Sequence, residues 1–356
     1  MAAFDVVVRR LTSVENHPNA DRLDLAVVDG YRAVVAKGAF VPDELIAYIP
    51  EAAILPAELI ERLGLTGKLA GPEFNKVHAV RLRGALSQGI VLKAEPHWVE
   101  GQSVLEELGI TKYIPEIPAE LLGSVYPLER DEGLTFDVDD IKAWPNVFKD
   151  GEEVVFTEKV HGVFMSVSAL PKEAGPESQH YARRAWVSSK GLLSQRMAFM
   201  SAVELPNMYV RTAMRLGLYE KAMKLAYETG EIVHILGELY GTGVQDLHYG
   251  TVAGEPQFRV FAIVMNGRYI VDEQVEAELE YLELERAPVV YRGPFTPEML
   301  ALHTNGKETI TGHCTHMREG VVVTPALERI DPMLGRVCLK SVSEAYLLRK
   351  GGTEYT

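Results

Sequence analysis

Short apolar runs separated by turns dominate the first quarter of the chain. Val6-Val7-Val8, Leu25-Ala26-Val27-Val28, Tyr31-Arg32-Ala33-Val34-Val35 and Ile46-Ala47-Tyr48-Ile49 are brief and rich in β-branched or aromatic residues, which favours strands over helices. Asp29-Gly30 between two of these runs predicts a two-residue hairpin turn. Closely spaced short strands without regular helices predict a small barrel. Further along, Val154-Val155-Phe156 and Val163-Phe164-Met165-Ser166-Val167 predict strands on either side of Thr157-Glu158-Lys159-Val160-His161-Gly162. A helical pattern over 195–228 predicts an insertion between strands, with Met197, Met200, Met208 and Met214 in its core. Between these regions, Pro115, Pro118, Pro127 and Pro145 accompany an acidic run at Asp137, Asp139 and Asp140. Prolines at that density disfavour helix and predict an extended connection. The expected division is residues 1–110, a connection over 111–150, and a larger domain over 151–356.

Charge adds a second layer. The chain has 36 Lys and Arg against 50 Asp and Glu, a net −14 that argues against a polyanionic partner. The distribution changes that picture. Residues 100–153 hold 4 basic and 14 acidic residues (4 − 14 = −10), whereas residues 181–224 hold 8 basic and 2 acidic (8 − 2 = +6). Arg183, Arg184, Lys190, Arg196, Arg211, Arg215, Lys221 and Lys224 then form a candidate phosphate-facing surface, with an ordinary solvated helix face as the plain alternative from Arg211 onward. With 356 residues, 47 % of them hydrophobic, and no apolar run long enough to span a bilayer, the chain is expected to be a soluble protein of two domains. No signal peptide is expected from Met1-Ala2-Ala3-Phe4-Asp5. Cys314 and Cys338 form no C-x-x-C pair and are expected to be reduced thiols in a cytoplasmic protein.

The chemistry rests on Lys159. A lysine on an extended segment followed by a glycine turn can act as a covalent nucleophile, but K-x-x-G alone is a weak signal. Its partners are Ser189-Lys190-Gly191, Gly237-Glu238-Leu239-Tyr240-Gly241, Phe258-Arg259-Val260-Phe261, Arg318-Glu319-Gly320 and Cys338-Leu339-Lys340-Ser341. An amine attacks phosphorus only when neutral, so Lys159 needs cations or desolvation around it. Lys190 and Lys340 would supply positive charge and neutralise a phosphate. Glu238 and Glu319 sit at strand ends, where carboxylates suit sugar hydroxyls and hard metal ions.

This ordered set resembles the covalent nucleotidyltransferase superfamily of ATP-dependent ligases and mRNA-capping enzymes, and within it an RNA ligase. The resemblance implies an α+β fold in which an N-terminal OB-like β-barrel precedes an ATP-grasp-like domain of antiparallel sheets with flanking helices. It implies that Lys159 forms a lysyl-adenylate, that Glu158 reads the adenine edge and that Glu238 holds the ribose. Phe261 would stack on the purine, Glu319 would serve the metal, and Lys340 would contact the α-phosphate, with His161 and Gly162 completing the nucleophile motif. Lys190 would be the basic residue of the next element, with Arg183 and Arg184 competing for that role and Arg196 a further nucleic-acid contact. ATP and Mg2+ or Mn2+ are the implied cofactors.

Three departures refine the resemblance. His161 stands where most ligases have Asp, which resembles the nick-sealing and editing RNA ligases. Many members carry a second lysine two residues from the first in the last motif, whereas Lys340 is flanked at that spacing by Cys338 and Val342, and Ala262 stands where relatives have an Asp. His17-Pro18-Asn19-Ala20-Asp21-Arg22-Leu23 resembles the turn motif of OB-fold domains in tRNA-binding proteins, and its residue types also suit a purely structural turn. A barrel ahead of the catalytic domain is the arrangement of Deinococcus-type RNA ligases, with Lys76, Arg81 and Arg83 as candidate RNA contacts. The expected activity is sealing of 3′-hydroxyl and 5′-phosphate ends by a monomer acting on RNA or RNA/DNA hybrid, in repair. The alternatives are a non-catalytic tRNA- or RNA-binding protein and a capping-type guanylyltransferase. His303, His313, Cys314 and His316 fit no standard zinc spacing, and positioning of the Arg318-Glu319 strand is their simpler role.

Overall fold

The computed structural model describes residues 4–113, 124–171, 184–201 and 207–349. They divide into two compact units, residues 4–113 with 139–147, and residues 124–138 with those from 148 onward. The chain is mixed α+β, as the sequence implied.

In the first unit the strand Leu45–Ile49 explains why the local sequence is apolar throughout rather than alternating. Ala47 and Ile49 join one buried cluster with Val6, Val8 and Leu55, while Ile46 and Tyr48 join another with Leu11, Ala26 and Val28. Buried on both faces, the strand has no polar side. It pairs with Val7–Arg10 and Ile90–Lys93, and a second three-stranded sheet is formed by Ser13–Asn16, Leu23–Val28 and Tyr31–Ala36. The described strands thus lie in separate small sheets rather than in one closed ring of hydrogen bonds. Val28 pairs with Tyr31, so Asp29-Gly30 makes the expected two-residue turn, with Asp29 at φ 53°. Part of the stretch expected to be a connection belongs here: the backbone N–H of Gly30 donates to the Lys142 carbonyl at 3.1 Å. Residues 114–123, with Pro115 and Pro118, lie outside the described residues.

The second unit is built on a seven-stranded antiparallel sheet in the order Val125–Pro127, Met197–Phe199, Ala185–Ser189, Val163–Ala169, Val233–Tyr240, Gln257–Met265, Arg268–Tyr269. Pro127 is accommodated because its strand is the sheet edge. The helices Met208–Arg215 and Leu218–Thr229 bury Val210, Ala213, Leu218, Ala222 and Leu225 against one face, beside Val167, Ile235 and Val260. The expected insertion is therefore a short strand followed by two helices. Met197 and Met208 pack on this core, but Met200 and Met214 are 38 % and 49 % exposed and serve no core. A second set of strands carries the nucleophile: Glu153–Lys159 lies between Val289–Pro294 and Gly320–Pro325, with Leu339–Val342 beyond the latter.

Candidate active site

Register places the key side chains. Lys159 ends its strand opposite Gly320, the residue after Glu319, while Lys340 faces Val322 on the far side of the same neighbour. Glu238 faces Phe164 across the other sheet. The turn joining the two sheets is Val160-His161-Gly162, and here a glycine is needed. A Cβ on Gly162 would collide with the Leu239 carbonyl oxygen and lie 3.0 Å from Glu238 Cγ. Gly320 is under the same constraint, since its Cβ would strike the Ser341 carbonyl oxygen. The glycines of K-x-x-G and R-E-G are thus steric requirements that let neighbouring strands approach.

Lys159 Nζ donates to Glu319 Oε1 at 2.5 Å. Glu319 is buried, and burial alone would raise its carboxyl, but the Lys159 ammonium beside it holds it below the ordinary value. Glu238 moves the other way, pushed up to about 8 by burial and by Glu319, with Lys159 and the Gly162 N–H opposing. The same desolvated site thus pushes its two carboxyls in opposite directions. Glu158 is buried and raised by desolvation; its Oε2 accepts from the Thr309 N–H at 2.9 Å and the Thr309 hydroxyl at 2.6 Å. Its other oxygen, Oε1, has no protein partner.

His161 is 2 % exposed and held from three sides. Its Nε2 lies 2.8 Å from Asp246 Oδ1, its Nδ1 lies 2.6 Å from the Tyr346 hydroxyl, and its backbone N–H donates to the Tyr249 hydroxyl at 2.8 Å. Arg349 donates to both oxygens of Asp246, at 2.9 and 3.1 Å, and stacks over the Tyr346 ring. With Nε2 protonated, the ring donates to Asp246 and accepts from Tyr346. Asp246, Tyr249, Thr309, Tyr346 and Arg349 were not anticipated from the sequence. They lie in loops or the short helix Glu344–Leu347, with no periodic or motif signal to mark them.

Phe261 is the extra residue of a bulge, since Gly237 pairs with Val260 and Leu236 with Ala262. Its ring stacks on Phe136 at 5.3 Å and tilts against Phe164 at 6.1 Å. Lys190 Nζ bonds Asp137 Oδ1 at 2.8 Å, and Lys190 is near enough to Glu238 to lower it. Lys159, His161, Gly162, Glu238 and Glu319 are therefore in direct or electrostatic contact, with Lys190 at their edge. Arg183 lies outside the described residues, while Arg196 is exposed and Arg184 half-buried. Of the remaining basic residues, Arg215 bonds the Pro256 carbonyl, Lys221 bonds the Leu282 and Glu283 carbonyls, and Lys224 stacks on Tyr281. Those three are engaged with backbone carbonyls and an aromatic ring, which neither the phosphate-facing nor the solvated reading anticipated. The histidines near Glu319 serve separate neighbours: His303 packs on Phe156 and Tyr291, and His316 on Tyr249.

A hard cation bound through substrate phosphates needs only one or two protein carboxylates. Glu319, with Glu238 beside it, meets that need, although among the described residues no group of three metal-ligating side chains is found.

A family model described as RNA ligase matches residues 152–342, more than half of the 356 residues, and one described as an OB-fold domain matches residues 5–94. No curated protein matches the chain by sequence. Among solved structures, the RNA ligase of Naegleria gruberi with PPi matches with TM-score 0.74 at 20 % identity, over 97 % of this chain and 98 % of that one. A lysine-to-alanine mutant of that ligase with ATP and Mn matches with TM-score 0.73 at 19 % identity, over 96 % of this chain and 98 % of that one. A glutamate-to-alanine mutant with AMP and Mn matches with TM-score 0.73 at 19 % identity, over 97 % and 98 %. At such identity the likeness is one of fold: an OB-fold unit followed by a nucleotidyltransferase-like unit.

Proposed function

The chain belongs to the RNA ligase family, and from that premise we propose an ATP-dependent enzyme that seals 3′-hydroxyl and 5′-phosphate RNA ends, nicks in duplex RNA or RNA/DNA hybrid foremost, in nucleic-acid repair. One observation carries the reading: the Lys159 amine at the end of its strand, paired with Glu319 and within the field of Glu238.

The sequence of events follows from the residues. Lys159 attacks the α-phosphorus of ATP, forming an N–P bond as pyrophosphate leaves. AMP then passes to the RNA 5′-phosphate, and the 3′-hydroxyl displaces it to close the strand. Before the first step the ammonium must lose a proton and part from Glu319 Oε1, its ion-pair partner. In this reading Glu238 would hold the ribose, Glu158 would read the purine edge and Phe261 would stack on its face. Lys190 and Lys340 neutralise phosphate charge. Magnesium or manganese, when bound by Glu319, shields that charge further. In the same reading the OB-fold unit grips RNA and residues 151–356 carry the transferase, with a single copy acting alone.

The test is a nicked RNA duplex with a labelled 5′-phosphate, incubated with ATP and manganese. Wild type should convert it to the joined strand and Lys159→Ala should not. Failure of wild type on nicked RNA, with transfer of AMP to the 5′ end intact, would move the substrate elsewhere. A lysyl-GMP in place of lysyl-AMP would favour the capping reading.

A further inference from the structure

The turn motif His17-Pro18-Asn19 has no part in the transferase chemistry, and its contacts show what it does instead. His17 is 6 % exposed, its Nδ1 accepts from the Asn19 backbone N–H at 3.1 Å, and its Nε2 donates to the Leu82 carbonyl at 3.1 Å. Asn19 Nδ2 donates to the Arg83 carbonyl, also at 3.1 Å. Two consecutive carbonyls of a distant turn are thus clasped by the motif. That turn joins the strands Val80–Leu82 and Ala85–Ser87, with Leu82 paired to Ala85, and both turn residues are left-handed: Arg83 at φ 50° and Gly84 at φ 91°.

Glycine or asparagine is the natural occupant of the first position in such a turn. An arginine there is held against its backbone preference, which points to a use for its side chain. The base of the hairpin is rigid: the Val34 N–H donates to the Ser87 hydroxyl at 2.9 Å, and the Gln88 N–H to the Arg32 carbonyl at 2.7 Å. Residues 74–94 contain Lys76, Arg81, Arg83 and Lys93 and no Asp or Glu, in a chain of net charge −14. Lys76 lies over the Tyr113 ring and Lys93 bonds Glu44. Arg83 is exposed at the turn and Arg81 on the strand that leads into it.

We propose that this clasped hairpin is an RNA-backbone contact of the OB-fold unit, with Arg81 and Arg83 engaging phosphates and His17 and Asn19 acting as positioning residues. The proposal rests on the ligase reading and deepens it. Phosphate contacts fix a protein on its polyanion without reading sequence, and each displaces condensed counterions.

The experiment uses the full chain and a fluorescent nicked RNA duplex titrated at several salt concentrations, with self-adenylylation measured in parallel. Arg81→Ala with Arg83→Ala should weaken RNA binding several-fold and make the slope of log affinity against log salt shallower by about two, with lysyl-AMP formation unchanged. Arg83→Gly relieves the backbone, so its melting temperature should hold or rise while RNA affinity falls. His17→Ala with Asn19→Ala should weaken RNA binding as well. A double arginine variant that binds as tightly as wild type, with the same salt slope, overturns the hairpin alone. Wild type that forms no lysyl-AMP overturns the ligase reading on which this one rests.

Discussion

Replacing Gly162 by alanine is the sharpest perturbation the site offers, because the damage can be worked out atom by atom. The added methyl would overlap the Leu239 carbonyl oxygen and lie 3.0 Å from both Glu238 Cγ and the Leu239 carbonyl carbon. All three belong to the strand Val233–Tyr240, whose Leu239 pairs with Val163 next to the substituted position. No flexible side-chain tip can swing aside, so the strands must part. Overpacking of this kind costs about 1–3 kcal/mol. At roughly 2–4 °C per kcal/mol for a domain of this size, melting should fall by about 2–12 °C. The same shift moves Lys159 relative to Glu238, and a displacement near 1 Å costs on the order of 100-fold in rate. Differential scanning calorimetry and the rate of covalent AMP labelling read the two effects. Gly191→Ala is the internal control: a Cβ there meets nothing within 4 Å, and the helix Lys190–Ser194 should gain about 0.5–1 kcal/mol from it. Wild-type melting and labelling in Gly162→Ala would refute the steric argument.

Glu238 predicts a pH signature in stability. Its folded carboxyl is raised to about 8, so the fold favours the protonated form, and that contribution is complete below the ordinary value of 4.5 and lost as pH rises to about 8. Glu238→Gln should therefore melt increasingly above wild type between those limits; a constant difference across pH would contradict the assignment. Tyr346→Phe removes the hydroxyl donated to His161 Nδ1, at about 1 kcal/mol of stability, and should slow lysyl-AMP formation more than it weakens ATP binding. Equal labelling rates in the two proteins would show that the ring needs no such anchor.

How much of this was legible beforehand depended on distance along the chain. Lys159, His161 and Gly162 are contiguous, and the strands beside them are strongly β-branched, so both motif and setting could be read directly. The partners of His161 come from 85 and 185 residues away, through side chains in loops and a four-residue helix. Nothing in their local sequence encodes that meeting. The methionines failed for a related reason, since apolar composition marked 195–228 as helical but could not say which side of Met208–Arg215 faces the core. Met214 turned outward although Ala213 beside it is fully buried. His17-Pro18-Asn19 was legible as a turn, while the hairpin it clasps, more than sixty residues on, was not.

The central claim is that one amine takes AMP onto itself. Incubation with α-labelled ATP and manganese, denaturation, and mass analysis of the acid-labile adduct would locate it. The expected result is a single AMP on the peptide containing Lys159, absent in Lys159→Ala. Label that never becomes covalent, or that sits on another residue and survives Lys159→Ala, would contradict it.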